Sequence, residues 1–357
     1  VNYYQQEIQA AFTNAVEATN ELSLDILPVP FSLRVVGAQN SGNDNDEIET
    51  FGIFGSVEYD IFENLTFTFE GRWQEDKVTT FGGQFLSPGE PESLTEKEFL
   101  PRAILTWKPM DSLTTYLSYS EGTLPGTFNS AFLALPPDAQ DVVRAENPGL
   151  EASIPPEELK SLELGVKQAL LGGRLTYAVA VYSMQWENMK SAITFLPPGA
   201  TGLQGGLISG SSEITGVEFE GTWVVNEHLE FAATANITDA EYEDFAISGI
   251  NRLFGLTDAE GYKVDGNQLP QFPEETYSLS GTYTDDLSGG WSWYSRLDVA
   301  YQGRAYTDPS NINYVKPYTL VNLRGGVRSV DGKSLEIFWT NLFDERGWAA
   351  GGTGLDL

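Results

Sequence analysis

The feature of this sequence that most constrains its fold is the regular alternation of short and long links between segments of period-two hydrophobicity. A period of two places apolar side chains on one face of a strand and polar side chains on the other. Consecutive antiparallel strands turn at opposite ends of a sheet. The alternation therefore predicts a sheet with tight turns at one end and large loops at the other.

Thirteen segments follow this pattern, and short links alternate with long links between them without exception. The predicted strands are 1–12, 49–60, 64–76, 98–108, 113–121, 158–170, 174–190, 213–224, 229–240, 275–285, 291–304, 318–329 and 334–342. The short links are 61–63, 109–112, 171–173, 225–228, 286–290 and 330–333, and the long links are 13–48, 77–97, 122–157, 191–212, 241–274 and 305–317. A parity change near Val181 and Tyr182 predicts a bulge or a tall extension of that strand.

The two faces of the predicted strands differ sharply in polarity. One face of the segment 65–74 carries Leu65, Phe67, Phe69 and Trp73. The polar faces of the strands carry Glu58, Glu70, Arg72, Arg102, Glu163, Lys167, Glu218, Glu220, Glu230, Arg296, Asp298, Asn322, Arg324, Arg328 and Glu336. Each of these charges would cost about 2–4 kcal/mol against lipid near the bilayer midplane, so they must face a wet interior.

The strand length and the aromatic residues favour a membrane-spanning sheet over a soluble one. The segments are about ten residues long, as in transmembrane barrels, which also have short turns at one end and long loops at the other. Aromatic rings lie near strand ends, as at membrane interfaces: Tyr59, Trp73, Trp107, Tyr119, Trp223, Tyr283, Trp291, Trp293, Tyr301 and Trp339. The alternative is a soluble all-β protein that binds or hydrolyses saccharides.

Composition excludes several classes of function. The chain carries 51 acidic and 20 basic residues, a formal charge of -31, which repels the phosphate backbone of nucleic acids. It has no cysteine, and no apolar run approaches the roughly 18 residues of a membrane helix. His228, the single histidine, is predicted to be a solvated turn residue. The segment 202–206 lacks the spacing of a phosphate loop. The segment 43–47 is predicted to be a solvated loop tip rather than a calcium site. We predict no catalytic residue, metal ligand or cofactor.

Several motifs resemble the barrel domain of TonB-dependent outer-membrane receptors. They occur in family order over about 100–345, and they are individually weak and collectively strong. The matching stretches are 101–109, 115–122, 125–129, 156–167, 214–220, 269–274, 318–324 and 341–345.

This resemblance implies an all-β, antiparallel transmembrane β-barrel of about 22 strands, with the lumen filled by a separate N-terminal plug domain. About 13 strands are visible in this sequence, and we recognise no plug or TonB-binding segment in it. We therefore expect residues 1–357 to be a partial barrel domain that lacks the plug, about eight strands in front and the final strand.

The resemblance also implies a function and a location. The expected function is active uptake of a scarce bulky ligand, above all a ferric siderophore, in the outer membrane of a Gram-negative bacterium. Uptake would be energised by the TonB–ExbB–ExbD complex acting through the missing plug, and the expected surroundings are outer-membrane lipid and lipopolysaccharide. Alternatives are a passive porin, and TonB-dependent uptake of a saccharide or of cobalamin.

Ligand capture is expected in the long loops, because loops held by a rigid scaffold carry recognition. Aromatic rings with a few polar groups suit a bulky ligand. The candidate ligand-binding residues are Phe128, Asn129, Phe132, Tyr242, Phe245, Arg252, Phe254, Tyr306 and Tyr314. Packing of the loops against one another is the alternative role for each of them.

Overall fold

The dominant feature of the fold is one antiparallel sheet of 13 strands, in which each strand pairs with the next in the chain. The computed structural model describes residues 43–80, 91–147, 149–200, 202, 204–245 and 263–347, with side chains from residue 47 on, and the backbone of Asn2–Ala11 and of four short strands. The sheet strands are β1 (Asn2–Ala11), β2 (Asn43–Phe62), β3 (Leu65–Thr80), β4 (Glu92–Met110), β5 (Leu113–Leu124), β6 (Glu157–Leu170), β7 (Leu175–Phe195), β8 (Gln204–Val224), β9 (Leu229–Asp244), β10 (Glu275–Leu287), β11 (Trp291–Gln302), β12 (Tyr318–Ser329) and β13 (Ser334–Trp339). All thirteen predicted strands are confirmed.

The alternation of the links is also confirmed. Short links occupy 63–64, 111–112, 171–174, 225–228, 288–290 and 330–333, and longer ones 12–42, 81–91, 125–156, 196–203, 245–274 and 303–317. The long link predicted over 191–212 is wrong in extent, because β7 and β8 continue as a hairpin to 195 and from 204. Ile193, Phe195 and Ile208 on this extension are buried, which accounts for the extra strand length.

One face of the sheet carries a belt of exposed apolar side chains. A single row of directly opposed residues crosses eight strands, and every member of it is exposed: Tyr59, Phe67, Leu105, Leu117, Leu164, Val181, Val217 and Ile237. Water-soluble monomers rarely expose a contiguous apolar surface of this extent. This face is therefore suited to an apolar surrounding medium.

The opposite face is polar, as predicted. Tyr116, Gly165 and Ala180 are direct cross-strand partners in a row that continues to Glu218. On β3 and β4, Arg102 Nη1 donates to Glu70 Oε2 at 3.2 Å. The predicted division into an apolar and a polar face is confirmed, because apolar and charged residues alternate along the strands.

Two tyrosines on the polar face lie over glycines of the neighbouring strand. Tyr116 is opposite Gly165 and Tyr182 is opposite Gly216, and a Cβ at either glycine would overlap the tyrosine ring. Tyr182 is buried, and its hydroxyl lies 2.8 Å from that of Thr238. The sequence pattern changes parity here because Tyr182, a large aromatic residue, lies on the polar face of a long strand.

The bulge of β7 lies further along the strand than the predicted position at 181–182. The register shifts between Trp186 and Met189, where Asn188 has a positive φ of 55°. The predicted tall extension is confirmed, because β7 is 21 residues long.

The tyrosine–glycine packing gives the first testable prediction. Gly165→Ala should destabilise the sheet by about 1–3 kcal/mol, because the Tyr116 ring must leave its position to admit the new methyl group. Reversible unfolding in detergent measures this loss. Gly122→Ala is the matched control, since no atom lies within 4 Å of a Cβ there, and an equal loss at both positions would contradict the packing argument.

Candidate functional site

The long loops pack together around a buried apolar core above the belt. We call this assembly the loop cap: it comprises 125–156, 263–274 and the ends of β7, β8 and β9. It includes two short helices, α1 (Ser130–Leu133) and α2 (Pro137–Glu146). Its core consists of Phe132, Val143, Leu150, Tyr182, Met189, Ile193, Phe195, Ile208, Ile214, Ala240, Tyr242, Phe245, Val264 and Leu269. The cap is therefore a packed structure with its own interior.

Asn129 joins the first of these loops to β8. Its Nδ2 donates to Glu151 O at 2.7 Å and to Leu207 O at 2.8 Å, and its Oδ1 accepts from Leu207 N at 2.7 Å. The residue is buried, so its amide group is used by the protein itself. A ligand that contacts Asn129 would have to replace one of these hydrogen bonds. Ligand binding by Asn129 stays a prediction.

Three of the predicted ligand contacts lie inside the cap. Phe132 packs edge-on against Phe195, with ring centres 6.4 Å apart, and Tyr242 stacks on Phe245 at 4.6 Å. Burial raises the pKa of Tyr242 to about 12, and the charge of Asp308 adds to the shift. All three predicted residues are buried, so packing explains their position.

The remaining predicted contacts are scattered over the loops. Phe128 is partly exposed and pairs with Ser153 in a two-residue ladder. Arg252 and Phe254 lie outside the described residues. Their roles, like those of the buried aromatic residues, stay predictions.

A buried ion pair, which the sequence did not indicate, fixes the cap to the sheet. Lys190 Nζ lies 3.3 Å from Glu157 Oε1, with side chains only 16% and 10% exposed. Lys190 also donates to Pro125 O at 2.6 Å, and Trp186 Nε1 donates to Glu157 Oε2 at 2.8 Å. Both charges are therefore satisfied inside the protein. The register shift between Trp186 and Met189 lies just before Lys190 on β7, and no spacing rule indicates it beforehand.

A second attachment point lies on β4 above the belt. Gly126 N donates to Glu96 Oε2 at 2.8 Å, at the start of the first cap loop. Burial raises the pKa of the Glu96 carboxyl, and neighbouring Asp76 and Glu98 raise it further. The Gly126 bond and the charge of Lys190 act in the opposite direction.

The raised pKa of Glu96 gives a second testable prediction. The folded cap holds this proton more tightly than the unfolded chain does, so the contribution of Glu96 to stability falls as pH rises through the folded pKa. Glu96→Gln should therefore raise the melting temperature at neutral pH, and the gain should vanish near the ordinary glutamate pKa of 4.5. Melting curves of both proteins at the two pH values measure this difference. A gain that is independent of pH would contradict it.

Tyr306 and Tyr314 are brought together, as direct partners of a short ladder. Their rings meet edge-on with centres 6.2 Å apart. The guanidinium carbon of Arg304 lies 5.0 Å from the centre of the Tyr306 ring, and Arg304 Nη2 donates to Glu274 Oε1 at 2.7 Å. This arginine, which the sequence analysis did not select, makes the two tyrosines part of one surface cluster.

The loop that carries this cluster is fixed to the neighbouring loop. Gln271 N donates to Tyr306 O at 2.8 Å. Asn311 exchanges two hydrogen bonds with Gln268, at 2.7 and 2.8 Å, and Asn267 Nδ2 donates to Pro309 O at 2.8 Å. The cluster is therefore held on an ordered backbone.

The polar face of the sheet forms two shallow concavities. The larger, of about 620 Å³, is lined by Arg296, Asp298, Arg324 and Glu336 among others. The smaller, of about 300 Å³, is lined by Tyr116, Glu163, Glu218, Glu220 and several small residues. The second concavity is thus an acidic wall, whereas the two arginines and two carboxylates of the first balance in charge.

The described residues contain no group of three or more histidine, aspartate or glutamate side chains placed to hold a metal ion. His228 lies in the turn between β8 and β9, half-exposed, stacks on Tyr283 and contacts Thr284 O at 2.9 Å. The segment 43–47 belongs to β2, so the loop tip expected there is wrong. No helix in the described part of the chain is long and apolar enough to cross a membrane.

Comparison with known proteins decides the family. The family model for the β-barrel of TonB-dependent receptor-like proteins matches residues 3–342. The chain belongs to this family. TonB-dependent receptor barrels are outer-membrane barrels, and the family consists of transport receptors and not of enzymes. The fold class predicted from the sequence is confirmed.

Individual relatives of this receptor barrel differ in the ligand they are named for. A probable TonB-dependent siderophore receptor, PiuA, of Acinetobacter baumannii is 24% identical over 247 residues, 69% of this chain and 30% of its own length. The metal-pseudopaline receptor CntO of Pseudomonas aeruginosa is 27% identical over 194 residues, 54% of this chain and 24% of its own length. The crystal structure of the ferric yersiniabactin uptake receptor FyuA from Yersinia pestis superposes with a TM-score of 0.67 at 18% identity, over 88% of this chain and 43% of that one. The chain thus spans less than half of the length of each of these proteins.

Proposed function

We propose that this chain is the ligand-binding barrel part of an outer-membrane receptor for active uptake of a scarce metal complex, first of all a ferric siderophore. The observation that carries the proposal is the family match over 3–342, combined with an ordered loop cap at one end of the sheet. The relatives are named for siderophores and for a metal–pseudopaline complex, and these names support a metal complex as the ligand. Saccharide and cobalamin remain alternative ligands.

The charge distribution of the polar face supports a protein plug as its partner. Glu218 and Glu220 lie beside Glu163 in the acidic wall. Within the described residues, neither Glu218 nor Glu220 forms an ion pair. A plug that presents basic groups to this acidic wall would satisfy its charges. Coupling of uptake to the TonB–ExbB–ExbD complex through this plug is part of the proposal.

The apolar belt supports outer-membrane lipid and lipopolysaccharide as the surroundings. A row of exposed apolar residues across eight strands is suited to contact with hydrocarbon. Location in the outer membrane of a Gram-negative bacterium is therefore part of the proposal.

Uptake by the full-length receptor tests the proposal. Cells that lack their other siderophore receptors should accumulate radioactive iron from ferric siderophores when they produce the receptor, and deletion of TonB should abolish this accumulation. Accumulation that does not saturate and does not require TonB would identify a passive porin and contradict active transport.

A further inference from the structure

The two arms of the cap loop 125–156 meet beside the carboxyl group of Glu96. Thr127 pairs with Ile154 in the short ladder at the base of the loop, so the two arms lie side by side there. Gly126 N donates to Glu96 Oε2 at 2.8 Å, and the other carboxyl oxygen, Oε1, lies 2.5 Å from the position that a Cβ on Gly126 would occupy. Ile154 O lies 2.6 Å from the same position. Both arms are therefore placed against one carboxyl group of β4.

The protonation state of this carboxyl decides how Oε1 interacts with Ile154 O. An ionised carboxylate and a carbonyl oxygen both only accept hydrogen bonds, so the ionised group places two acceptors beside one another. A protonated carboxyl has one O–H to donate, and Ile154 O is the acceptor next to it. Gly126 and Ile154 are buried, which shields this contact from competing water. The proton thus adds a hydrogen bond to the second arm, while Oε2 still accepts from Gly126 N.

The charged groups around Glu96 are mostly acidic. Those that act on it directly, through Glu98 or through Lys190 are Asp76 on β3, Glu98 on β4, Glu121 on β5, Glu157 and Glu158 on β6, and Lys190 on β7. Lys190 is the single cation of this set, and it is paired with Glu157 at 3.3 Å. Burial is the largest effect that raises the pKa of Glu96, and the neighbouring carboxylates add to it. These surroundings favour the protonated carboxyl.

We propose that Glu96 is a proton-dependent clamp at the base of the cap loop. When it is protonated, its carboxyl is bonded to Gly126 on one arm and to Ile154 on the other, and both arms are tied to β4. When it is ionised, it holds Gly126 alone and repels Ile154 O. The second arm then separates from β4 more readily, while Phe132 and Leu150 keep the rest of the loop packed in the cap core.

Linkage fixes the direction and the limit of the effect. The clamped loop binds the proton more tightly than the released loop, in which the pKa of Glu96 returns toward its ordinary value of 4.5. The clamp is therefore fully formed below pH 4.5 and is lost as the pH rises through the raised pKa of the clamped state. Since one proton is involved, the equilibrium constant for release rises by at most about tenfold per pH unit.

Pulsed electron paramagnetic resonance on the full-length receptor in detergent tests the clamp. One spin label replaces Ser153, an exposed residue of the second arm, and the other replaces Asp111, an exposed residue of the short turn that follows β4. The distance distribution should be single and narrow in samples frozen at about pH 5, and it should broaden or gain a second population at about pH 8. With Glu96→Gln, the distribution should stay narrow at both pH values, because glutamine accepts from Gly126 and donates to Ile154 at any pH.

Three further variants separate the clamp from general effects of pH. Glu92→Gln removes an exposed carboxyl from the same strand and should leave the pH dependence unchanged. Glu98→Gln removes a charge that raises the pKa of Glu96, so the midpoint of the transition should move to lower pH. Gly126→Ala places a methyl group against Glu96 Oε1 and Ile154 O, so the distribution should be broad at both pH values.

The same distance distribution at both pH values in the receptor with native Glu96 would overturn the clamp. A pH dependence that survives in the Glu96→Gln variant would do so too, because another group would then be responsible. A narrow distribution in the Gly126→Ala variant at both pH values would show that the contact at this glycine does not hold the arm. These measurements use no ligand, so their outcome is independent of the proposed uptake function.

Discussion

Arginine at Leu117 or Phe69 is expected to destabilise the receptor barrel by about 2–4 kcal/mol, the range for a cation that faces lipid near the middle of the bilayer. Both residues are exposed on the apolar face, and Leu117 belongs to the row that crosses eight strands. Hydrocarbon cannot solvate a guanidinium group, so the folded state in lipid loses this energy. Reversible unfolding of the full-length barrel in lipid or detergent measures it.

The neighbouring residues provide matched controls. Ser118→Arg and Thr68→Arg place the same charge one residue away, on the polar face, where Ser118 is opposite Glu163. These variants should be nearly neutral. Equal destabilisation on both faces would show that the belt does not face lipid in this register. The intact barrel is required for the comparison, because an open sheet exposes unpaired edges.

Removal of Lys190 is expected to have the other large effect. Lys190→Met leaves the Glu157 carboxylate buried with the Trp186 indole as its remaining described partner, and breaking such a pair from one side costs about 3–5 kcal/mol. The loss should appear as detachment of the loop cap, because Lys190 also holds Pro125 at the start of the cap loop. Protease cleavage within 125–156 and unfolding in detergent measure it.

Two variants test whether an uncompensated charge causes this effect. Lys190→Met/Glu157→Gln removes both charges and should recover much of the lost stability. Lys160→Met removes a lysine that is more exposed and pairs with Glu158 and Glu187, and it should cost about 1 kcal/mol or less. A Lys190 variant no less stable than the Lys160 variant would show that the buried pair does not hold the cap.

The sheet was predictable from the sequence because its faces have different surroundings. The period-two pattern fixes which side chains share a face, and the link lengths fix which ends of the strands are adjacent. Strand ends above the belt were less predictable. There, β7 and β8 continue because Ile193, Phe195 and Ile208 are covered by the cap, and this contact joins residues far apart in the chain.

The candidate site was only partly predictable for the same reason. From the sequence, Phe132 and Tyr306 are both aromatic residues of a long loop, but the first is completely buried and the second is partly exposed. Their difference depends on which loop lies over which strand end. Arg304 gains its place between two rings only when the ladder of 305–306 with 314–315 forms, and no local pattern indicates that pairing.

Accessibility of single spin labels is the most direct test of the central claim, that the apolar face of this sheet is the lipid-facing surface of an outer-membrane barrel. The chain contains no cysteine, so single cysteines can be placed in it without removing native ones. Labels at Leu164, Val181 and Val217 should collide mainly with oxygen dissolved in the lipid. Labels at their neighbours, Glu163, Ala180 and Glu218, should be protected from oxygen and reached instead by a water-soluble nickel complex or shielded by the plug. Equal access of the nickel complex to both sets in the reconstituted full-length receptor would contradict the account.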